Sequence, residues 1–318
     1  MTEIKMRTRM LPSMTNYEVE SYLTRNDIIF VPVGVNEMHG AMPLDIEYVM
    51  AEAYSRLMAE NVDGLVLPNL VYFTAGGTVI GRGTVYMSMQ DSMNYLKSIC
   101  YSLLNQGFRR IILVPAHGDS KIIINAVISQ FLDETKCPML FLDPRDALRK
   151  NGVDLPRHDF SDTDTATHDD HIGCATLDLG CYNICGRIDD VPTGEEVNDQ
   201  PGSLCDAALG HPDRWPFEPI EGFETLHELL GTYMPTAIYF RDWSNHGSQP
   251  LPLTREDVRR EGAIGEKLLR DAFGKVDWKK YTDGLRKTDR FFQEVVLPKY
   301  RDVLPKNKFY PNFYEREK

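Results

Sequence analysis

The sequence predicts an α/β fold built on a mostly parallel sheet. Short apolar runs, typical of buried parallel strands, alternate along the chain with longer segments of helical periodicity. This alternation is the pattern of β-α-β units. The predicted strands lie within residues 28–33, 64–68, 111–114, 139–142 and 237–240.

Three segments between these strands predict helices. Residues 48–60 carry apolar side chains at helical spacing, which presents one face to a sheet. Residues 92–106 have the same pattern and end at Gly107, where glycine readily adopts the left-handed conformation of a helix cap. Residues 121–132 predict a further helix. Each helix follows a predicted strand or leads into one, as a parallel sheet requires.

Composition and charge limit the classes of function. The 318 residues are 42% hydrophobic and 26% charged, an ordinary balance for a folded protein. The net charge of −12 repels phosphate backbones and anionic membrane surfaces. No segment approaches the roughly 18 apolar residues of a membrane span, and the N-terminus lacks the apolar core of a signal peptide. We therefore expect a cytoplasmic protein that binds neither nucleic acid nor membranes.

Six cysteines in a chain of this length do not form a disulfide framework, so we expect reduced thiols packed in the interior. A glycine-rich segment at residues 76–83 matches neither a P-loop nor a dinucleotide fingerprint. We therefore expect no nucleotide cofactor, and interpret this segment as pocket lining.

Polar loops follow the first and third predicted strands, at the sheet edge where ligands bind in open parallel sheets. The first loop contains Glu37 and His39, and the second contains His117 and Asp119. Imidazole and carboxylate together suit zinc, manganese or similar ions, and several carboxylates suit two ions sharing a bridge. The pattern predicts a dinuclear metal site. The structural alternative is that each histidine is a hydrogen-bonded loop residue.

Residues 34–40 read G-V-N-E-M-H-G, and Met42-Pro43-Leu44 follow. This segment resembles the first loop of the creatininase family of metal-dependent hydrolases, G-x-x-E-x-H-G followed by L-P and an acidic residue. Further family-like segments are Gly83-Thr84-Val85, Gly107-Phe108-Arg109-Arg110-Ile111 and Pro115-Ala116-His117-Gly118-Asp119-Ser120. The resemblance runs from about residue 28 to 125, and less closely to about 270. It implies a single three-layer α-β-α domain over residues 1–318, with a C-terminal helical extension from about residue 275.

The resemblance also implies roles for the loop residues. Glu37 and His117 would bind one divalent ion, and His39 and Asp119 the other. Two residues compete for the bridging carboxylate: Asp45 keeps the family's residue type, whereas Glu47 keeps the register of the following helix. We favour Glu47, and the other acid then sits near a helix N-terminus, where the macrodipole stabilises it. Zinc or manganese is expected, with iron as a third option.

A third family motif places a histidine shortly before Glu-Thr-Ser at the start of a helix. Aligning this chain on His171 and Gly173 puts Thr176 at the glutamate position, which departs from the family. We favour His171 as the proton shuttle, because an imidazole near neutrality can both accept and return a proton. His168 is the alternative shuttle, and a helix-cap or loop role is the structural alternative for either histidine.

The resemblance implies a hydrolase in which metal-activated water attacks a carbonyl of a small cyclic substrate, with the C–N bond of a cyclic amide favoured. One alternative is carbon–carbon hydrolysis of an inositol-derived cyclic diketone, as in 3-dehydro-scyllo-inosose hydrolases. Another is a non-catalytic metal-binding subunit. Creatininase itself is disfavoured, since Gly118 replaces an aromatic residue and residues 140–180 contain no tryptophan. A homo-oligomer, a hexamer by resemblance, is expected.

Overall fold

A computed structural model describes residues 6–76, 83–118, 120–155, 168–197 and 251–303, with the side chains of 168–174 excluded. Within these ranges the strands form one parallel sheet of order β2-β1-β3-β4. They are β1 (Ile28–Val33), β2 (Leu65–Val66), β3 (Arg110–Pro115) and β4 (Leu140–Phe141). The first four predicted strands are confirmed, and the fifth, at residues 237–240, lies outside the described residues.

The two central strands determine where the candidate loops emerge. Every residue of β1 and β3 is buried, as expected for strands covered on both faces. They pair in parallel from Ile28 opposite Arg110 to Val33 opposite Pro115. Both strands therefore end at the same level, and the loops after Val33 and Pro115 leave the same edge of the sheet side by side.

Helices follow the strands in the predicted order. Those after β1 and β3 begin and end within three residues of the predicted bounds. In the described ranges the helices are α1 (Asn16–Leu23), α2 (Ile46–Val62), α3 (Met89–Gln106), α4 (Ser120–Thr135), α5 (Pro144–Lys150), α6 (His168–Ile184), α7 (Gly194–Val197), α8 (Arg255–Phe273), α9 (Lys279–Phe291) and α10 (Leu297–Tyr300). Short 3-10 turns lie at Leu11–Ser13 and Ile188–Asp190, and a π turn at Phe292–Val296.

Local signals explain the bounds of α3. The hydroxyl of Ser88 accepts a hydrogen bond from the backbone N–H of Asp91 at 3.1 Å, which caps the helix at its start. Gly107 ends the helix with φ +105°, the left-handed conformation that the sequence predicts there. The helix therefore delivers the chain directly into β3, three residues later.

Alternate residues of the central strands face opposite layers, which produces the predicted three-layer α-β-α arrangement. Ile28 and Phe30 of β1, with Ile112 and Val114 of β3, pack in the core shared with α2, α5, α6, α8 and α9. The intervening strand residues, Ile29, Val31, Ile111 and Leu113, pack in the core shared with α1, α3 and α4.

The close packing of α6 against α8 depends on glycine. A Cβ built at Gly265 would overlap the carbonyl oxygen of Thr176, and one built at Gly180 would overlap the backbone of Gly265. The absence of side chains lets the two helix backbones approach closely. The Thr176 hydroxyl donates a hydrogen bond to Glu261 Oε2 at 2.9 Å across this contact.

The helix beyond residue 275 joins the same core. Trp278 and Leu285 are buried in the core on the α2 side of the sheet, and Asp289 pairs with Arg109 at 3.0 Å.

Cys100 and Cys181 are buried free thiols, as predicted. None of the described helices is both long and apolar enough to cross a bilayer.

Candidate metal centre

The loop after β1 is held by hydrogen bonds to its neighbours. The backbone N–H of Glu37 donates to the carbonyl of Leu44 at 3.0 Å, which closes the loop on itself. The N–H of Met38 donates to the Thr84 hydroxyl at 3.0 Å. The Asn36 amide donates to the carbonyl of Gly83 at 2.8 Å. These contacts direct the Glu37 side chain inward, where it is fully buried.

The first turn of α2 packs directly on the end of β1. A Cβ at Gly34 would overlap the backbone of Tyr48, so only glycine permits this approach. The side chain of Asn69 bridges the two elements: its oxygen accepts from the N–H of Gly34 at 3.1 Å, and its amide donates to the carbonyl of Tyr48. Glu47 lies in this first turn and is therefore carried to the strand ends.

Four of the predicted residues converge at the sheet edge, and we call them the Glu–His cluster: Glu37, His39, Glu47 and His117. His117 Nδ1 lies 2.7 Å from Glu47 Oε2 and 3.3 Å from Glu37 Oε1. His39 Nε2 lies 3.9 Å from Glu47 Oε1, and its Nδ1 lies 4.0 Å from Glu37 Oε1. All four side chains are buried. Ligand atoms of Glu37, Glu47 and His117 lie within 4.8 Å of one another.

The surroundings of His117 fit a cation better than a hydrogen bond. Its contact with Glu47 is short, yet it lacks hydrogen-bond geometry, and both ring nitrogens are buried without a hydrogen-bond partner among the described residues. A buried polar group without a partner costs about 1–3 kcal/mol. Imidazole nitrogens and carboxylate oxygens that face a shared centre suit a divalent ion, which would satisfy both.

Electrostatics lead to the same conclusion. Burial lowers the pKa of His117, but the carboxylates of Glu47 and Glu37 raise it more, so this pKa lies well above its ordinary value. The cluster therefore requires positive charge. Either a proton on the imidazole or a bound cation supplies that charge, and the two compete because metal ligation needs the neutral imidazole.

Asp45 lies close in sequence but faces elsewhere. Its carboxylate accepts hydrogen bonds from the Tyr182 hydroxyl and, at 2.7 Å, from the Tyr48 hydroxyl. Arg187 Nη2 lies 2.7 Å from Asp45 Oδ2. Of the two acids that compete for the bridging role, Glu47 thus contacts the predicted ligands and Asp45 contacts an arginine and two tyrosines.

The remaining predicted site residues are only partly described. The α6 backbone begins at His168, so His168 and His171 occupy the first turn of a helix, but their side chains lie outside the described residues. Asp119 also lies outside them. Thr176, at the family's glutamate position, bonds Glu261 of α8, so this position faces a carboxylate supplied by another helix.

Sequence reasoning missed the partners of Asp45. Tyr182 and Arg187 are more than 130 positions away along the chain, and both contact Asp45 only because α6 packs against α2. A tyrosine on a helix and an arginine after it carry no local signal of such a role. An acid directly before a helix is ordinarily interpreted as a cap.

Fold and cluster together define the molecule as an α/β protein with a buried carboxylate–imidazole centre at the carboxyl edge of a parallel sheet. The family model described as creatininase, creatinine amidohydrolase, matches residues 12–173, half of the chain. The chain belongs to the creatininase family. Among curated proteins, none matches this sequence significantly.

Solved structures of similar fold include creatininases. A creatinine amidohydrolase (creatininase) structure has a TM-score of 0.55 at 18% identity, over 89% of this chain and 98% of that one. A manganese creatininase has a TM-score of 0.52 at 17% identity, covering 88% and 98%. A putative creatinine amidohydrolase from Bacteroides fragilis NCTC 9343 has 0.53 at 14% identity, covering 88% and 96%. At these identities the similarity shows a shared fold.

Proposed function

We propose that this protein is a metal-dependent hydrolase whose Glu–His cluster, together with Asp119, binds two divalent ions. The observation that carries the proposal is the burial of Glu37, Glu47 and His117 around one point, with both His117 nitrogens lacking hydrogen-bond partners among the described residues. Membership of the creatininase family supports it. Similar creatininase structures include zinc and manganese forms, so these two metals are the first to test, and iron is the third.

In this proposal Glu47 is the bridging carboxylate. Its two oxygens face different imidazoles: Oε2 faces His117 at 2.7 Å, and Oε1 faces His39 at 3.9 Å. Glu37 and His117 would hold one ion, and His39 and Asp119 the other. A carboxylate placed between two imidazoles would suit two neighbouring ions, because each oxygen could serve one of them.

When bound, the ions would supply a water of lowered pKa and polarise a substrate carbonyl. The chain's own residues hold that chemistry away from bulk solvent, since all four cluster side chains are buried. His171, in the first turn of α6, is the proposed proton shuttle, and His168 is the alternative. The imidazole of the shuttle histidine would accept a proton at one nitrogen and return it to the leaving group.

The substrate we favour is a small cyclic amide, cleaved at its C–N bond. The family model and the similar structures are named creatinine amidohydrolases, an activity on a cyclic substrate. The second candidate is a polyol-derived cyclic diketone, cleaved at a carbon–carbon bond. It is favoured by Gly118, which leaves space beside His117 for a hydroxylated ring.

Metal content is the first test. Purified full-length protein should contain close to two zinc or manganese ions per chain, and His117→Ala should lose at least one, measured by elemental analysis. Light scattering of the same samples tests the proposed homo-oligomer. Absence of bound metal, with no activity gained on adding zinc or manganese, would falsify the proposal.

Turnover of two substrate classes is the second test. The metal-loaded protein is incubated with creatinine-like lactams and with an oxidised inositol, and ring opening is followed as the mass gain of one water. Lactam turnover supports the favoured reaction. Turnover of the diketone alone would replace it with the carbon–carbon reaction. Bound metal without turnover of either class would favour a non-catalytic metal-binding subunit.

A further inference from the structure

Asp45 occupies the capping position of α2 without capping it. An aspartate directly before a helix ordinarily accepts a hydrogen bond from a backbone N–H of the first turn. Here the side chain makes no such bond. Its oxygens instead accept from the hydroxyls of Tyr182 and Tyr48 and pair with Arg187. The carboxylate therefore joins the start of α2 to the end of α6 and the turn that follows it.

The partners contact one another, and we call them the Asp45 cluster: Asp45, Tyr48, Tyr182 and Arg187. Arg187 Nε also donates to Asp190 Oδ2 at 2.7 Å. Arg187 Nη1 donates to the Tyr48 hydroxyl at 3.3 Å, and the guanidinium lies 5.9 Å from each tyrosine ring centre. Tyr182 is fully buried. Hydrogen bonds that involve charged groups are shorter and stronger than neutral ones, so this group restrains both helices.

Two members of the Asp45 cluster lie next to the proposed bridging residue, Glu47, in the sequence. Glu47 lies two residues after Asp45 and directly before Tyr48, so members of the cluster flank it on both sides. On the side facing β1, the same turn of α2 packs on Gly34, and the Asn69 amide donates to the carbonyl of Tyr48. The first turn of α2 is thus held from β1 and from α6 at once.

We infer that Asp45 is a positioning residue for the metal centre. It holds the first turn of α2 so that the two oxygens of Glu47 face His117 and His39, and it does not itself bind metal. The inference rests on the proposed function, in which Glu47 is a metal ligand. Metal ligands must be placed within about 0.2 Å of ideal distances, so a small shift of this turn weakens binding.

The test separates affinity from stoichiometry. Metal-free full-length protein and its variants are titrated with Zn²⁺ or Mn²⁺ by calorimetry. Asp45→Asn and Tyr182→Phe should each raise the metal Kd about tenfold, the lower end of the effect of losing a group that orients a metal ligand. The number of ions bound at saturation should stay that of the unmodified chain. Glu47→Gln should lower that number. Cobalt absorption spectra should show altered coordination in Asp45→Asn.

Asp189→Asn is the matched control. It removes a carboxylate that pairs with Arg259 at 2.7 Å in the segment following α6, where both side chains are exposed and neither contacts Asp45. Its metal Kd should equal that of the unmodified protein. Thermal unfolding of each metal-free variant verifies that it is folded. If Asp45→Asn does not fold, the metal Kd of Tyr182→Phe, which loses one hydroxyl, tests the inference.

The outcomes distinguish the inference from the proposed function. An unmodified chain that binds no metal overturns the proposed function and the inference with it. Unchanged Kd in both Asp45→Asn and Tyr182→Phe, with metal bound normally, overturns the inference alone. A loss of stoichiometry in Asp45→Asn equal to that in Glu47→Gln would show that Asp45 is itself a ligand.

Discussion

At the scale of single residues, the two acids at the start of α2 have different environments although one residue separates them. Glu47 meets two imidazoles at the sheet edge, and Asp45 meets Arg187 and two tyrosine hydroxyls. Arg187 offsets the charge of Asp45, whereas Glu47 is buried against imidazoles and requires a proton or a bound cation to offset its charge. The two side chains leave the helix start in different directions, and that divergence explains their different proposed roles.

His171 is the residue whose removal should separate binding from chemistry. We expect His171→Ala to keep its full metal content but to lose turnover by about 10²–10⁴, the effect of removing a positioned acid–base group. Elemental analysis gives the metal content, and the kcat is measured with whichever substrate the turnover test above identifies. His168→Ala is the comparison variant from the same helical turn. If His168→Ala loses turnover by this factor and His171→Ala does not, the proton transfer is assigned to His168.

At the scale of secondary-structure elements, the contact between α6 and α8 determines where α6 lies. Gly265 and Gly180 face each other across it, and the carbonyl of Thr176 approaches Gly265 where any side chain would stand. The same helix carries His171 at its first turn and Tyr182 near its last. Because α6 rises 1.5 Å per residue, these two residues are about 16 Å apart along its axis. The position of α6 therefore fixes both the backbone of the proposed shuttle and the Tyr182 contact with Asp45.

Gly265→Ala should destabilise the protein. Alanine favours a helix over glycine by about 1 kcal/mol, but the added Cβ would overlap backbone atoms of α6, and overpacking costs about 1–3 kcal/mol or more. The overlap is with backbone, which cannot rotate away, so we expect the cost to exceed the gain. Denaturant unfolding gives the change in the free energy of unfolding.

Gly284→Ala provides the contrast for that measurement. Gly284 lies inside α9, and a Cβ there would meet no atom within 4 Å. Helix propensity then acts alone, and this variant should gain about 0.4–1 kcal/mol. Equal stabilities for the two variants would show that the α6–α8 contact tolerates a side chain at Gly265.

At the scale of the whole molecule, the centre is assembled from segments distant in sequence. Glu37 comes from the loop after β1, Glu47 from α2 and His117 from the loop after β3. The four buried side chains of the Glu–His cluster include two carboxylates, Glu37 and Glu47, whose charge opposes folding until a proton or a cation offsets it. A metal that binds only the assembled site therefore stabilises the entire fold.

Metal removal should lower the melting temperature. At a free metal concentration of 100 times Kd, binding to the native state contributes about 2.7 kcal/mol, which corresponds to several degrees for a chain of this size. Calorimetric scans of chelator-treated and reloaded protein measure the difference. Glu47→Gln should show a smaller shift on reloading, whereas Asp189→Asn should show the full shift. An identical melting temperature with and without metal would contradict the prediction.

Much of the architecture follows from local sequence patterns. Continuous apolar runs predict β1 and β3, and the glycine at position 107 predicts the end of α3, because burial and backbone conformation are encoded residue by residue. The family is also evident from short motifs around residues 34–40 and 107–120, and the matching family model confirms it. The loops that hold Glu37 and His117 could be placed at one sheet edge because parallel strands share their direction.

The choice between Asp45 and Glu47 illustrates what local pattern does not decide. The family's residue type favoured Asp45 and the helix register favoured Glu47, so both acids remained candidates. A side chain's direction at a helix start depends on what packs against it. The α6–α2 contact brings Tyr182 and Arg187 to Asp45, and β3 brings His117 to Glu47. Those partners lie from 70 to more than 140 positions away along the chain. Burial of charge is a property of the assembled interior. Only tertiary packing therefore gives the two neighbouring carboxylates their separate environments.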